Sequence, residues 1–316
     1  MSTSTVQQAQ DLCEAIINNV EQVIVGKRSV VENTLVCLLA GGHILLEDVP
    51  GVAKTMLAKA LAASVNGRFS RLQFTPDLLP SDVMGVNIYN QKTSEFTFRR
   101  GPVFTNILLA DEINRASPRT QSALLESMEE LQVTVDGVTY PLPDPFLVIA
   151  TENPIEHEGV YALPESQLDR FMMKLSIGYP NREQEKEIVQ AQLREHPIEQ
   201  LEPVTSIEEI KRVQEVVSEC DVDDDIYDYV MDIVEHTRES EDLVLGASPR
   251  GTLALVRCSQ ALATLQARDY VIPDDIKRLI TSTLAHRLQL APQARMGDMT
   301  ATTVLSEIAD EIPVPV

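Results

Sequence analysis

The sequence predicts an α/β core built on a parallel sheet over residues 1–180, followed by an all-helical domain over residues 181–316. Three observations point there. Short apolar runs alternate with amphipathic stretches through the first part. The turn-rich segment Gly178-Tyr179-Pro180-Asn181-Arg182 ends that rhythm. Beyond it the pattern is nearly all helical, and 316 residues suffice for two domains of roughly 100–200 each.

In chain order, residues 43–47, 107–110 and 146–151 are continuous apolar runs, as strands buried on both faces of a parallel sheet require. Residues 54–65 and 120–131 carry helical periodicity between them. Residues 86–90 and 95–98 alternate apolar and polar around the link 91–94, which predicts a hairpin. Residues 132–140 predict a second, with Asp136-Gly137 as its turn. Helices are expected over 183–195, 206–219, 226–236, 249–268 and 273–284, with starts at Ser206, Ser248 and Pro273.

Composition narrows the function class. The chain carries 26 Lys and Arg against 48 Asp and Glu, a net charge of −22. That balance argues against a protein that coats duplex DNA, and no basic, aromatic-interleaved patch supports a nucleic-acid motor. No apolar run reaches the roughly 18 residues of a membrane-spanning helix. Residues 1–11 lack a basic start followed by an apolar stretch, so a cytoplasmic location without membrane insertion is expected. Cys13, Cys37, Cys220 and Cys258 are widely spaced and read as buried reduced thiols, and the five histidines form no pair at zinc-ligand spacing. Residues 1–180 hold 21 acids and 13 bases, and residues 181–316 hold 27 and 13. The acidic excess therefore sits on the helical part, including Asp223-Asp224-Asp225, which suits a helix cap or a solvated face.

The chemistry is carried by short motifs. Asp48 through Thr55 aligns on the pattern GxxxxGK[ST], with Asp48 and Ala53 standing where glycines are expected. Backbone N–H groups from Gly51 to Thr55 open a helix and can face phosphate oxygens. Lys54 supplies a point charge for them and Thr55 a hydroxyl for Mg²⁺, while Asp48 is expected to face away. On this fragment alone, a plain helix-capping loop is the competing reading. A second run, Ile107-Leu108-Leu109-Ala110, ends in Asp111 and Glu112. One carboxylate at a strand end can hold Mg²⁺, and the next can polarise an attacking water. The spacing from Lys54 to Asp111 suits a neighbouring strand, and the two motifs together point to ATP hydrolysis. Asn153, just past the third run, is either a turn residue before Pro154 or a group that orients the lytic water. Arg170 and Arg250 are candidates to stabilise phosphoryl charge, within one chain or from a neighbour, with Arg115 and Arg119 behind them. Each would otherwise be an ordinary surface arginine.

Taken in order, these segments resemble the MoxR family of AAA+ ATPases. The resemblance rests on Val23-Ile24-Val25-Gly26, Glu47 through Thr55, Leu109 through Ala116, Ala150 through Pro154, Leu163 through Phe171 and Gly246 through Arg250. It implies a P-loop AAA+ core with a helical lid. It implies that Val25, Gly26, Gly51, Val52, Ala53, Lys54, Thr55 and Met56 contact ATP, and that Thr55 and Asp111 hold Mg²⁺. It assigns Glu112 as base, Asn153 as the first sensor, Arg250 as the second sensor, and Arg170 as an arginine finger reaching a neighbouring subunit. It further implies a ring, expected to be a hexamer, that remodels protein clients with a von Willebrand A-domain partner. The hairpins would then face a central pore, with Arg99 and Arg100 beside the first; ordinary surface hairpins are the alternative. A chelatase-type motor for metal insertion shares these hairpins and stays open, as does a nucleotide-gated scaffold without turnover.

Overall fold

The structure, a computed structural model, describes residues 3–92, 94–153, 160–193 and 196–315. Pro154, named above, and the last two residues of the helix expected over 183–195 lie outside them. Two helices open the chain, α1 (Thr3–Glu21) and α2 (Arg28–Leu39), ahead of strand β1 (Ile44–Glu47) and helix α3 (Lys54–Ser64). Strand β2 (Phe69–Gln73) and the short helix α4 (Pro80–Met84) lead to the hairpin β3 (Gly85–Asn90) and β4 (Glu95–Arg100). Strand β5 (Ile107–Asp111), helix α5 (Pro118–Glu130) and the hairpin β6 (Gln132–Val135) and β7 (Val138–Pro141) follow. Strand β8 (Leu147–Glu152), helix α6 (Glu165–Leu168) and strand β9 (Met173–Leu175) complete this part.

The sheet is parallel throughout, in the order β2-β5-β8-β1-β9. Its strands alternate between two cores because successive side chains leave a strand on opposite faces. Ile44, Leu46, Ile107, Leu109, Leu147 and Ile149 enter one cluster with residues of α1, α2, α3 and the later helices. Leu45, Leu108, Ala110, Val148 and Ala150 enter the other, against Val83 of α4 and Leu124, Leu125 and Met128 of α5. Burial on both faces explains why β1, β5 and β8 read as uninterrupted apolar runs. The expected hairpins form and touch: Asn87 Nδ2 donates to Asp136 Oδ2 at 2.7 Å, and Phe98 stacks on Tyr140 at 4.2 Å. Gly85 permits the first hairpin to close, since a Cβ there would meet the Arg99 carbonyl oxygen at 2.3 Å.

From Arg182 the chain is helical: α7 (Arg182–Gln192), α8 (Ile207–Ser218), α9 (Asp224–Glu239), α10 (Pro249–Leu265), α11 (Pro273–Leu284), α12 (Pro292–Met296) and α13 (Ala301–Glu311). A small antiparallel pair, β10 (Leu243–Leu245) and β11 (Gln289–Leu290), interrupts them. Ser206 caps α8, Ser248 caps α10 and Asp223 caps α9, each accepting from an N–H of the first turn. At α11 the cap works backwards, with the Ile272 N–H donating to Asp275 Oδ2 at 3.0 Å. The four cysteines are free and buried, and burial pushes the Cys13 and Cys258 thiols up to about 12. No helix among the described residues is long and apolar enough to cross a membrane.

Candidate functional site

The turn between β1 and α3 lies at the carboxyl ends of the strands, where open α/β sheets bind ligands. Gly51 has φ +89° and Ala53 φ +63°, so the loop turns through the left-handed region twice before α3 begins. The first of those residues is the glycine such a turn favours; the second is an alanine. Ala53 offers no side-chain cap, which leaves the first-turn N–H groups of α3 for another acceptor. A Cβ at Gly51 would meet nothing within 4 Å, so the cradle above the loop is open. Lys54 lies folded over it, donating to the carbonyl oxygens of Asp48 at 2.5 Å and Glu152 at 3.1 Å. Burial holds its ammonium below the ordinary lysine value, with the carboxylates of Asp48, Asp111, Glu112 and Glu47 pulling the other way. The Asp48 carboxylate faces away from the loop, accepting from the N–H groups of Ile177 and Gly178 at 2.5 and 3.1 Å. It thereby ties the loop to the junction before α7.

One cleft of about 260 Å³ gathers Gly51, Val52, Ala53, Lys54 and Thr55 with Asp111, Glu112, Thr151 and Asn153. Strand β8 lies between β1 and β5, so the acid pair stands one strand farther from the loop than the neighbouring strand its spacing predicted, and the register of β5 on β8 brings it to the mouth of the loop. Asp111 Oδ1 accepts from Thr151 Oγ1 at 2.7 Å. Glu112 sits in the left-handed region at φ +57°, a strained position for a non-glycine residue of the kind found where chemistry is held in place. Its Oε2 accepts from Gln73 Nε2 at 2.8 Å and Arg115 Nη1 at 3.1 Å.

A second, largely apolar cavity of about 450 Å³ adjoins this cleft and shares Gly51, Val52 and Ala53 with it. Val23, Ile24, Val25, Met56, Ile188 and Val189 contribute apolar walls. His196 also lines it, with a buried Nδ1 that has no hydrogen-bond partner among the described residues. Gly26, expected at the nucleotide, does not line this cavity; a Cβ there would overlap the Gln184 side chain at 2.0 Å. A polyanion in the first cleft and a flat base with a polar edge in the second suit these linings. Thr55 and Asp111 are oxygen donors of the hard type that Mg²⁺ takes alongside phosphates.

Arg170 and Arg250 lie elsewhere, and together. Both bind one carboxylate, Glu129: Arg170 Nη1 at 3.2 Å from Oε2, and Arg250 Nη2 on Oε1. They line a separate cavity with Asp169, Arg257 and Arg287, and neither lines the phosphate-loop cleft. Their placement is fixed from below. Asp169 Oδ1 accepts from Ser248 Oγ at 2.8 Å and from buried Arg287. Arg287 also donates to the carbonyl oxygens of Asp169 at 2.8 Å and Phe171 at 2.7 Å. The segment bearing Arg170 is thus clamped to the start of the helix bearing Arg250.

Sequence reading missed Arg71, Gln73, Glu129, Asp169 and Arg287. Arg71 and Gln73 sit on β2, a strand whose mixed pattern hid it. The other three take their roles from partners about 40 to 120 residues distant; Asp169 lies in the run Leu163 through Phe171, but nothing local marks its tie to Ser248 and Arg287.

Residues 43–173 match the ATPase family associated with various cellular activities (AAA), and residues 235–308 match an AAA lid domain. The chain is similar to protein YeaC of Bacillus subtilis, at 53% identity with 95% of this chain and 94% of that one covered. It is similar to the chaperone MoxR1 of Mycobacterium tuberculosis, at 45% identity with 96% of this chain and 82% of that one covered. A crystal structure from Cytophaga hutchinsonii matches with a TM-score of 0.93 at 37% identity, over 99% of this chain and 98% of that chain.

Proposed function

The chain belongs to the MoxR-type AAA+ ATPases, a chaperone-like family, and from that premise we propose that it hydrolyses ATP in a hexameric ring to remodel or activate protein clients with a von Willebrand A-domain partner. The observation that carries the hydrolysis is the single cleft uniting an uncapped helix start, Lys54, Thr55, the acid pair and Asn153. In this reading residues 1–180 are the nucleotide-binding core and residues 181–316 the lid.

The first-turn N–H groups of α3 and Lys54 hold the phosphates, and Val25 and Met56 wall the base. Thr55 and Asp111 would hold Mg²⁺, which would supply neutralisation of the developing phosphate charge. Glu112 takes the proton of the attacking water while Asn153 orients that water. Arg170 and Arg250 lie outside their own chain's phosphate cleft, which supports their acting together on a neighbour's nucleotide. The exposed hairpin residues Tyr89 and Phe96, 50% and 72% accessible, support the hairpins as the client-contacting surface. Buried free thiols suit a reducing, cytoplasmic setting.

The test is phosphate release by the wild type and Glu112→Gln. The variant should bind ATP with turnover reduced by about 10²-fold or more. Turnover at the wild-type rate would remove Glu112 as the base.

A further inference from the structure

Strand β2 lies at the sheet edge, and its pairing with β5 sets Gln73 opposite Asp111 and Arg71 opposite Leu109. Residues two apart on a strand share a face, so Arg71 and Gln73 both rise beside the acid pair. Arg71 donates twice to one oxygen of Asp111, from Nε at 3.1 Å and Nη2 at 2.7 Å. It also reaches Gln73 Oε1 at 3.2 Å, and it lines the phosphate-loop cleft. The other Asp111 oxygen accepts from Thr151. Both oxygens of the carboxylate are therefore engaged by the chain's own donors.

We propose that Arg71 is a placeholder cation: it holds Asp111 in the position a divalent ion would use, and it must leave that oxygen before metal and nucleotide settle. This rests on the nucleotide reading of the cleft and deepens it. Two N–H donors converge on Oδ2, and a carboxylate oxygen has two lone pairs, so a metal that ligates there competes with them for the same electrons. The guanidinium charge repels an approaching divalent cation at short range. Release costs little, because the Arg71 side chain is 49% accessible and solvent screens an exposed pair of this kind. Arg71 is thus a positioning residue that raises the metal concentration the cleft requires and keeps Asp111 oriented until then.

The probe is Mn²⁺, titrated into ADP-saturated protein and followed by the electron paramagnetic resonance signal of the free ion. Arg71→Gln should bind Mn²⁺ about fivefold or more tightly than wild type, with Arg71→Lys between them, since lysine keeps the charge and loses the paired donation. Binding of a fluorescent ADP analogue in EDTA should stay within about twofold of wild type, because the proposed contact is to the carboxylate and not to phosphate. Mn²⁺ affinity unchanged or weakened in Arg71→Gln overturns the proposal, as does a loss of metal-free ADP binding. A wild type that binds no ADP with or without metal defeats the nucleotide reading and this inference with it. A wild type that binds ADP, beside an Arg71→Gln with unaltered metal affinity, defeats this inference alone.

Discussion

The phosphate-loop cleft and the arginine cleft are built in opposite ways. In the first, backbone conformation does the positioning: Ala53 and Glu112 both occupy the left-handed region, and α3 begins without a side-chain cap. In the second, neither arginine has positive φ, and side chains do the positioning, with Asp169, Ser248 and Arg287 stapling Arg170 beside Arg250. The first cleft is prepared for an anion that it does not itself supply. The second holds two guanidinium groups on a single carboxylate, a charge balance that a phosphate could replace. In the proposed ring the two are partial sites whose chemistries complement each other, and a heterologous interface that closes on itself would bring such surfaces together.

The sharpest way to break this comparison is Arg170→Ala. Turnover should fall by about 10³-fold or more, the range in which a finger arginine acts, while ATP affinity changes by less than about threefold. Affinity that falls in step with turnover would mean that Arg170 serves its own cleft.

A smaller effect is expected at Ala53→Gly, which sharpens the claim that strain is stored in the phosphate loop. An L-residue in the left-handed region costs roughly 1–2 kcal/mol, and part of this returns as extra freedom of the unfolded glycine. The melting temperature should rise by about 2 °C. A drop would show that φ +63° at Ala53 is not strained in this loop.

The smallest effect concerns the charge beneath that loop. Burial pushes the Glu152 carboxyl above the ordinary glutamate range, with Glu47 adding to the shift and Lys174 and Lys54 opposing it. A carboxyl whose folded pKa is raised binds its proton more tightly when folded, so its stabilising share is present at low pH and is lost as pH rises through the folded value. Glu152→Gln lacks that loss. It should melt about 1 °C above wild type at pH 8, and the gap should close as pH falls toward 4. A gap that widens on acidification would reverse the sign and place the net stabilisation with Lys174.

Much of this was legible in the sequence, and the pattern of what was not is physical. β1, β5 and β8 are buried on both faces, so each reads as an apolar run that ends where its motif begins. β2 is an edge strand of mixed burial, Phe-Ser-Arg-Leu-Gln, and β9 has three residues, so neither leaves a periodic trace. α1 and α2 carry no chemical motif to mark them, although α1 has a clear apolar face in Cys13, Ile16, Ile17 and Val20. Asp48 and Ala53 mark where the loop departs from its pattern, and the structure gives each departure a consequence: a tie to the junction at Ile177 and Gly178, and a left-handed alanine. Arg170 and Arg250 were each readable in a local motif. Their meeting at Glu129 was not, because 80 residues separate the two arginines and folding alone joins them.

Whether the arginine cleft of one copy completes the phosphate cleft of another is decided by mixing two inactive variants, Arg170→Ala and Lys54→Ala, and measuring phosphate release. In an equal, random mixture about one quarter of the interfaces pair an intact phosphate cleft with an intact arginine cleft, so about one quarter of wild-type activity should return. Mixed assemblies that form but remain as inactive as either variant alone would contradict it.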